Sequence, residues 1–91
     1  GYVLNTYVVN KTDKDLSIRA DSFSIDSYMA DASYYVDIKS GKSMFAKMYW
    51  NDYITKQIGV DISNIKNIEG TIKVRDGAYK ELSSDAVKIT P

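Results

Sequence analysis

The sequence predicts a single all-β domain, built as a sandwich of seven or eight short antiparallel strands. β-branched and tyrosine residues are frequent, and apolar and polar residues alternate in several stretches. The only proline, Pro91, is the last residue, so no proline interrupts a strand. Turn-forming residues recur roughly every 8–12 positions, which is typical of sandwiches. An open barrel is the alternative.

The length and composition favour one domain that covers residues 1–91. A chain of 91 residues is too short for two separate cores. Cysteine is absent, so the 44% of apolar residues must form the core without help from disulfides.

The first third of the chain predicts two strands and a tight turn. Residues 2–9 read as the first strand, and the polar stretch 10–15 reads as a turn. Alternation from Leu16 onward predicts a second strand that extends to a tight turn at Asp26-Ser27.

The middle of the chain predicts a hairpin. Apolar residues alternate in residues 34–38 and again in residues 44–50, on either side of Lys39-Ser40-Gly41. A three-residue hairpin loop of this kind ends in a left-handed residue, a position that suits Gly41. The predicted cross-strand pairs are Val36 with Met44, Tyr34 with Ala46 and Ile38 with Lys42.

A helical crossover between the two sheets is predicted after that hairpin. The alternation stops at Asn51, and Ile54 and Ile58 lie four positions apart. Asn51 or Asp52 can cap the helix, and Gly59 can end it.

The last third predicts three more strands. Residues 68–74 alternate, Asp76-Gly77 is a turn signal, and short strands are expected around residues 79–82 and 86–90. The predicted core comprises Tyr34, Val36, Ile38, Met44, Met48, Trp50, Ile68, Ile72 and Val74.

The composition argues against catalysis and nucleic-acid binding. Histidine and cysteine are absent, which removes the commonest general base, thiol nucleophile and transition-metal ligands. Twelve basic residues balance twelve acidic ones without a basic stripe. We expect a protein that is not an enzyme, needs no cofactor and binds no nucleic acid.

Three local patterns bear on whether the chain holds a phosphate, catalytic or metal site. Residues 40–43, Ser-Gly-Lys-Ser, lack the upstream glycine of a phosphate loop and lie in a predicted hairpin. Asp26, Asp31 and Asp37 lie in or beside turns, and a small domain has little room for a hydrolase cleft between them. The loop that holds Asp13 and Asp15 lacks EF-hand order, so we expect no metal site.

Three aromatic residues form the candidate contact surface. The predicted hairpin register sets Tyr35 and Phe45 opposite one another on the outer face, with Tyr49 farther along. The alternative is that a strand, the helix or the second sheet covers these side chains.

Several stretches of the sequence resemble immunoglobulin-like domains of Gram-positive bacterial lipoproteins and membrane-tethered surface proteins. The matching stretches are residues 9–16 (VNKTDKDL), 21–29 (DSFSIDSYM), 36–38 (VDI), 41–42 (GK) and 62–76. The resemblance implies an immunoglobulin-like sandwich and a non-enzymatic, extracytoplasmic role, and it carries no functional residues. Trp50 could serve as the core anchor of such a fold, although the cysteine pair of many immunoglobulin domains is absent.

Two classes of function agree with the sequence. The first is a structural or protein-interaction module whose partners are other domains of the same polypeptide or another surface protein. The second is a small ligand- or carbohydrate-binding module that uses exposed aromatics. A row of parallel exposed rings would favour the second class, and a flat apolar patch would favour the first.

The expected location is extracytoplasmic, at the cell surface or anchored to a membrane. No apolar run is long enough to span a bilayer, and no signal peptide is seen. The chain begins with Gly1 rather than Met, so we expect that a leader or anchor once preceded it and that any membrane tether lies outside these residues.

Overall fold

The computed structural model describes residues 1–90, which form seven strands and one helix and confirm the all-β prediction. The elements in chain order are β1 (Tyr2–Val9), β2 (Leu16–Ile25), β3 (Tyr28–Met29), β4 (Tyr35–Ile38), β5 (Ser43–Trp50), α1 (Asp52–Ile58), β6 (Ile68–Asp76) and β7 (Glu81–Ile89).

The strands form two antiparallel sheets that pack as a sandwich. The smaller sheet contains only β1 and β5. In the larger sheet, β3 and β4 pair with successive parts of one edge of β2, while β6 and then β7 follow on its other edge. A two-residue bridge between Ser33 and Tyr49 joins the two sheets along one side.

The predicted hairpin between residues 34–38 and 44–50 is wrong. The turn itself forms, because the Lys42 N–H donates to the Lys39 carbonyl at 3.1 Å and Gly41 has a φ of 73°. However, β4 pairs with β2 and β5 pairs with β1, so this turn carries the chain from one sheet to the other. Val36 therefore lies opposite Ile18 instead of Met44.

The other two predicted pairs fail for the same reason. Ala46 pairs with Thr6 rather than Tyr34, and Ile38 pairs with Leu16 rather than Lys42. The two short strands predicted near the C-terminus are one continuous strand, β7, so the described residues contain seven strands, within the predicted seven or eight.

The tight turn predicted at Asp26-Ser27 is present. Asp26 and Ser27 both adopt positive φ, 47° and 73°, which forms the tight β2–β3 turn. The Asp26 carboxylate also accepts the backbone N–H groups of Lys66 and Asn67, at 2.9 and 2.8 Å, and so holds the segment that leads into β6.

The helix forms where the broken alternation predicts it. The Asn51 side chain accepts the Ile54 N–H at 2.9 Å, and Gly59 ends the helix with a φ of 69°. Because α1 follows β5 of the smaller sheet and precedes β6 of the larger one, it is the predicted crossover.

The main core lies where the two sheets face each other. Trp50 is fully buried beside Phe23, with ring centroids 6.1 Å apart, and its indole N–H donates to the Ala30 carbonyl at 2.8 Å. A Cβ at Gly70 would clash with the ring of Phe23, so only glycine lets this ring lie across β6. The buried cluster consists of Phe23, Ile25, Ala30, Met48, Trp50, Ile65 and Ile68.

The predicted core was partly correct. Five of its members are buried, namely Val36, Ile38, Met48, Trp50 and Ile68. The other four are half-buried, namely Tyr34, Met44, Ile72 and Val74. Four buried apolar residues were not predicted, namely Phe23, Ile25, Ala30 and Ile65.

A buried asparagine ties the two sheets together at the other end. The Asn10 side chain is 2% exposed, and its amide donates to the carbonyls of Lys14 and Ile38 at 2.7 and 3.1 Å. Its side-chain oxygen accepts the backbone N–H and the hydroxyl of Thr12. Its backbone bonds to Lys42 and Gly41 in the turn between β4 and β5. One residue thus links β1, the β1–β2 loop, the end of β4 and the turn into β5.

We predict that Asn10→Ala lowers the free energy of unfolding by about 2–4 kcal/mol, because it leaves several backbone groups without their partner. Urea unfolding measures the change. The matched control is Asn5→Ala, which should cost less than about 0.5 kcal/mol. Asn5 lies on the same strand but is exposed, and its side chain forms no hydrogen bond with any of residues 1–90. Equal stabilities of the two variants would contradict the linking role of Asn10.

Candidate interaction surface

The outer face of the two-stranded sheet carries an exposed apolar cluster, which we call the aromatic face. It arises because β1 and β5 alternate in register, so that the odd-numbered residues of both strands point outward. Its members, with their exposed fractions, are Val3 (42%), Tyr7 (60%), Val9 (45%), Phe45 (81%) and Tyr49 (42%).

The centre of the aromatic face is a cross-strand pair of rings. Tyr7 lies opposite Phe45, with ring centroids 4.9 Å apart and ring planes tilted by 48°. Val3 lies opposite Tyr49, and Asn5 lies opposite Lys47 between these two pairs. Because the rings are tilted, the face does not offer a row of parallel rings.

Among residues 1–90, one charged side chain, that of Lys47, points outward from β1 and β5 beside the members of the aromatic face. Lys47 points outward between the two pairs and forms no ion pair with any residue in the range 1–90. The face can therefore take an apolar surface that brings one carboxylate to the Lys47 ammonium group.

The structure brings together two of the three predicted contact residues and separates the third. Phe45 and Tyr49 share the aromatic face, as predicted. Tyr35 is also exposed, at 62%, but it lies on β4 of the other sheet, opposite Arg19. The predicted pairing of Tyr35 with Phe45 is wrong because these two residues belong to different sheets.

Tyr35 instead lines a shallow pocket at the end of the larger sheet. The pocket has a volume of about 390 Å³ and lies between the start of β2, β4 and the β6–β7 turn. Tyr79, which is 75% exposed, forms another part of its wall. Tyr79 has a φ of 61°, a left-handed conformation that favours glycine, so an aromatic side chain is held there at a conformational cost.

Carboxylates make this pocket acidic. Asp15, Asp37 and Asp76 line it together with one basic residue, Lys39. The backbone N–H of Ser40 donates to Asp15 and, together with the Lys39 ammonium group, lowers the pKa of that carboxyl.

The carboxylate of Asp76 is also stabilised in its ionised form. The Lys80 N–H donates to Asp76 at 3.0 Å and lowers its pKa, and the Ala78 N–H acts in the same direction. Asp15 and Asp76 are therefore both charged at neutral pH.

Two general features bear on what the surface can hold. Among residues 1–90, no three carboxylates lie close enough together to bind a metal ion. In the same part of the chain, no helix has the length and apolar character needed to cross a bilayer.

Two further exposed aromatics, Tyr7 and Tyr79, lie beside the predicted ones and were not predicted. The alternation of β1 predicts that Tyr7 points outward. Its position next to Phe45 could not be predicted, because it depends on the pairing of β1 with β5. Tyr79 could not be assigned from sequence because Gly77 is the expected turn residue, whereas Tyr79 adopts the positive φ.

Comparison with known proteins found no relative of this chain. No protein-family model matches the chain, and neither the curated proteins nor the solved structures include a significant match.

Proposed function

We propose that this chain is a non-catalytic interaction module of a larger bacterial surface protein, and that it binds a protein partner through the aromatic face. The proposed setting is extracytoplasmic, as an immunoglobulin-like domain of a lipoprotein or other tethered protein whose anchor lies outside residues 1–91. The partner is another domain of the same polypeptide or a second surface protein.

The observation that carries this proposal is the exposed cluster on the smaller sheet. Three aromatic side chains of about 150–250 Å² each, together with two valines, give an apolar area on the order of a few hundred Å². Patches of that size on a folded domain tend to mark interaction sites. Neither the helix nor the larger sheet covers the cluster, since Phe45 at its centre is 81% exposed.

The chemistry of the aromatic face favours a protein over a sugar. Pyranose rings stack on flat, accessible aromatic planes, whereas Tyr7 and Phe45 are tilted against each other by 48°. Aromatic and aliphatic side chains around a single lysine suit the apolar core of a protein interface, with a partner carboxylate for Lys47.

A second candidate function rests on the pocket beside Tyr35. A concave site with two exposed tyrosines and several carboxylates suits a small polar ligand such as an oligosaccharide, because carboxylates accept hydroxyl hydrogen bonds and tyrosines offer ring faces. The strained conformation of Tyr79 supports this candidate, since strain is often retained at functional positions.

We predict that a photoreactive phenylalanine analogue at position 45 cross-links to one defined partner in the native cell. The reason is that Phe45 lies at the centre of the aromatic face. The matched control carries the same analogue in place of Tyr53, a helix residue that is 74% exposed and lies outside the face. Adducts of the same mass and yield from both positions, or none from position 45, would contradict the proposal.

A stability measurement accompanies this experiment. Phe45→Ser should lower the free energy of unfolding by about 1 kcal/mol if the face is open, because it removes only the cross-strand contact with Tyr7. Met48→Ser on the same strand removes a side chain that is 3% exposed and should cost about 2–5 kcal/mol. A comparable loss in Phe45→Ser would mean that the ring supports the fold rather than a partner.

The pocket generates a different prediction, for Tyr79→Gly. This substitution should raise the free energy of unfolding by about 1 kcal/mol, because glycine adopts a positive φ without steric cost. It should also abolish the amide chemical-shift changes that oligosaccharides from a defined panel cause at residues 15–17 and 35–39. Tyr28→Ala, an exposed aromatic outside the pocket, is the control. Absence of such shifts in the unmodified protein would remove the second candidate.

A further inference from the structure

The free edge of β1 differs from the other strand edges of this domain. β3 and β4 are only two and four residues long, and β7 carries Glu81, Asp85 and Lys88 along its length. The outer edge of β5 carries Lys47 and is bridged at Tyr49 by Ser33. Short strands and charged side chains are the usual means by which proteins prevent edge-to-edge pairing. β1 has eight residues, YVLNTYVV, with no charge and no proline.

The direction of the backbone groups on β1 follows from the bridge between the sheets. Tyr49 exchanges both of its backbone hydrogen bonds with Ser33, so these groups point away from β1. Val3, the partner of Tyr49, must then point its own N–H and C=O away from β5, because opposed residues in an antiparallel ladder share one type of pairing.

The same alternation holds along the whole of β1. The residues whose N–H and C=O groups face the free edge are Val3, Asn5, Tyr7 and Val9, and no residue in the range 1–90 pairs with that edge. Eight backbone groups in a row are thus available to another strand.

We propose that β1 pairs with β1 of a second copy of this chain, antiparallel and with Thr6 at the twofold axis. In this register Val3 lies opposite the partner's Val9, and Asn5 lies opposite the partner's Tyr7. All eight backbone groups then form hydrogen bonds, and the two small sheets become one four-stranded sheet, β5-β1-β1-β5.

The sequence of β1 favours a second copy as the occupant. Pairing a strand with itself across a twofold axis brings like charges close together, and β1 has none to oppose it. In the paired sheet the aromatic faces of the two copies lie side by side on one surface, so a partner on that surface leaves the edge contact free. This inference deepens the proposed interaction role, but it depends on the edge of the sheet and not on its outer face.

The test uses sedimentation equilibrium of the 91-residue chain over a range of concentrations. We expect a monomer–dimer equilibrium in the unmodified protein. Asn5→Pro removes a donor that faces the free edge and leaves the β1–β5 hydrogen bonds intact. By symmetry the dimer loses two hydrogen bonds, so its dissociation constant should rise by about thirtyfold or more. Asn5→Ala keeps the N–H group and should dimerise like the unmodified protein.

A charge pair keeps the test decisive if Asn5→Pro does not fold. Asn5→Lys and Asn5→Glu should each dimerise weakly alone, and an equal mixture should restore the dimer because opposite charges then meet near the axis. In a mixture of labelled and unlabelled chains, an intermolecular contact between the Hα atoms of Leu4 and Val8 would confirm the register.

The edge and the aromatic face can be separated. Phe45→Ser leaves the edge intact, so its dimer should persist even where cross-linking to a partner through the face is lost. A monomer at every concentration in the unmodified protein, or a dimer unaffected by Asn5→Pro, would overturn the inference. Either result would leave the proposed role of the aromatic face standing.

Discussion

The arrangement of the two sheets depends on the hydrogen bonds of one buried side chain, that of Asn10. Its amide binds the carbonyl of Ile38 at the end of β4, and its backbone binds the turn that leads into β5. A buried amide is costly unless its groups are satisfied, so these partners fix the path of the chain closely. They hold β4 and β5 on different sheets although only four residues separate the two strands.

This separation determines what the domain shows to its surroundings. If β4 and β5 formed a hairpin, Tyr35 and Phe45 would share one surface. Because they do not, Phe45 lies beside Tyr7 on a nearly uncharged sheet, while Tyr35 lines an acidic pocket on the other sheet. The domain thus has two exposed surfaces of different chemistry, one apolar and nearly uncharged and the other concave and acidic.

The sequence predicted those features that depend on neighbouring residues. The bounds of β1, the turn at Asp26-Ser27, the cap at Asn51 and the end of the helix at Gly59 all follow from side chains close in the chain. The β4–β5 turn was also predicted, with Gly41 left-handed. Which strands pair on either side of this turn could not be predicted, because the same local turn can connect the two strands of a hairpin or two strands of different sheets. The pairing of β4 and β5 depends on β2 and β1, which are distant from them in sequence. The burial of Phe23 was not predicted because it depends on a bulge after Asp21 and on the absence of a side chain at Gly70.

The assignment of β4 and β5 to different sheets is tested most directly by nuclear Overhauser contacts between Hα atoms. In antiparallel sheets these atoms approach closely in the pairs that do not share hydrogen bonds, because the Cα atoms of those pairs are nearer. The structure predicts strong Hα contacts between Tyr7 and Phe45 and between Asn5 and Lys47, and none between Tyr35 and Phe45. A strong contact between Tyr35 and Phe45 would restore the hairpin and contradict this account of the fold and of both surfaces.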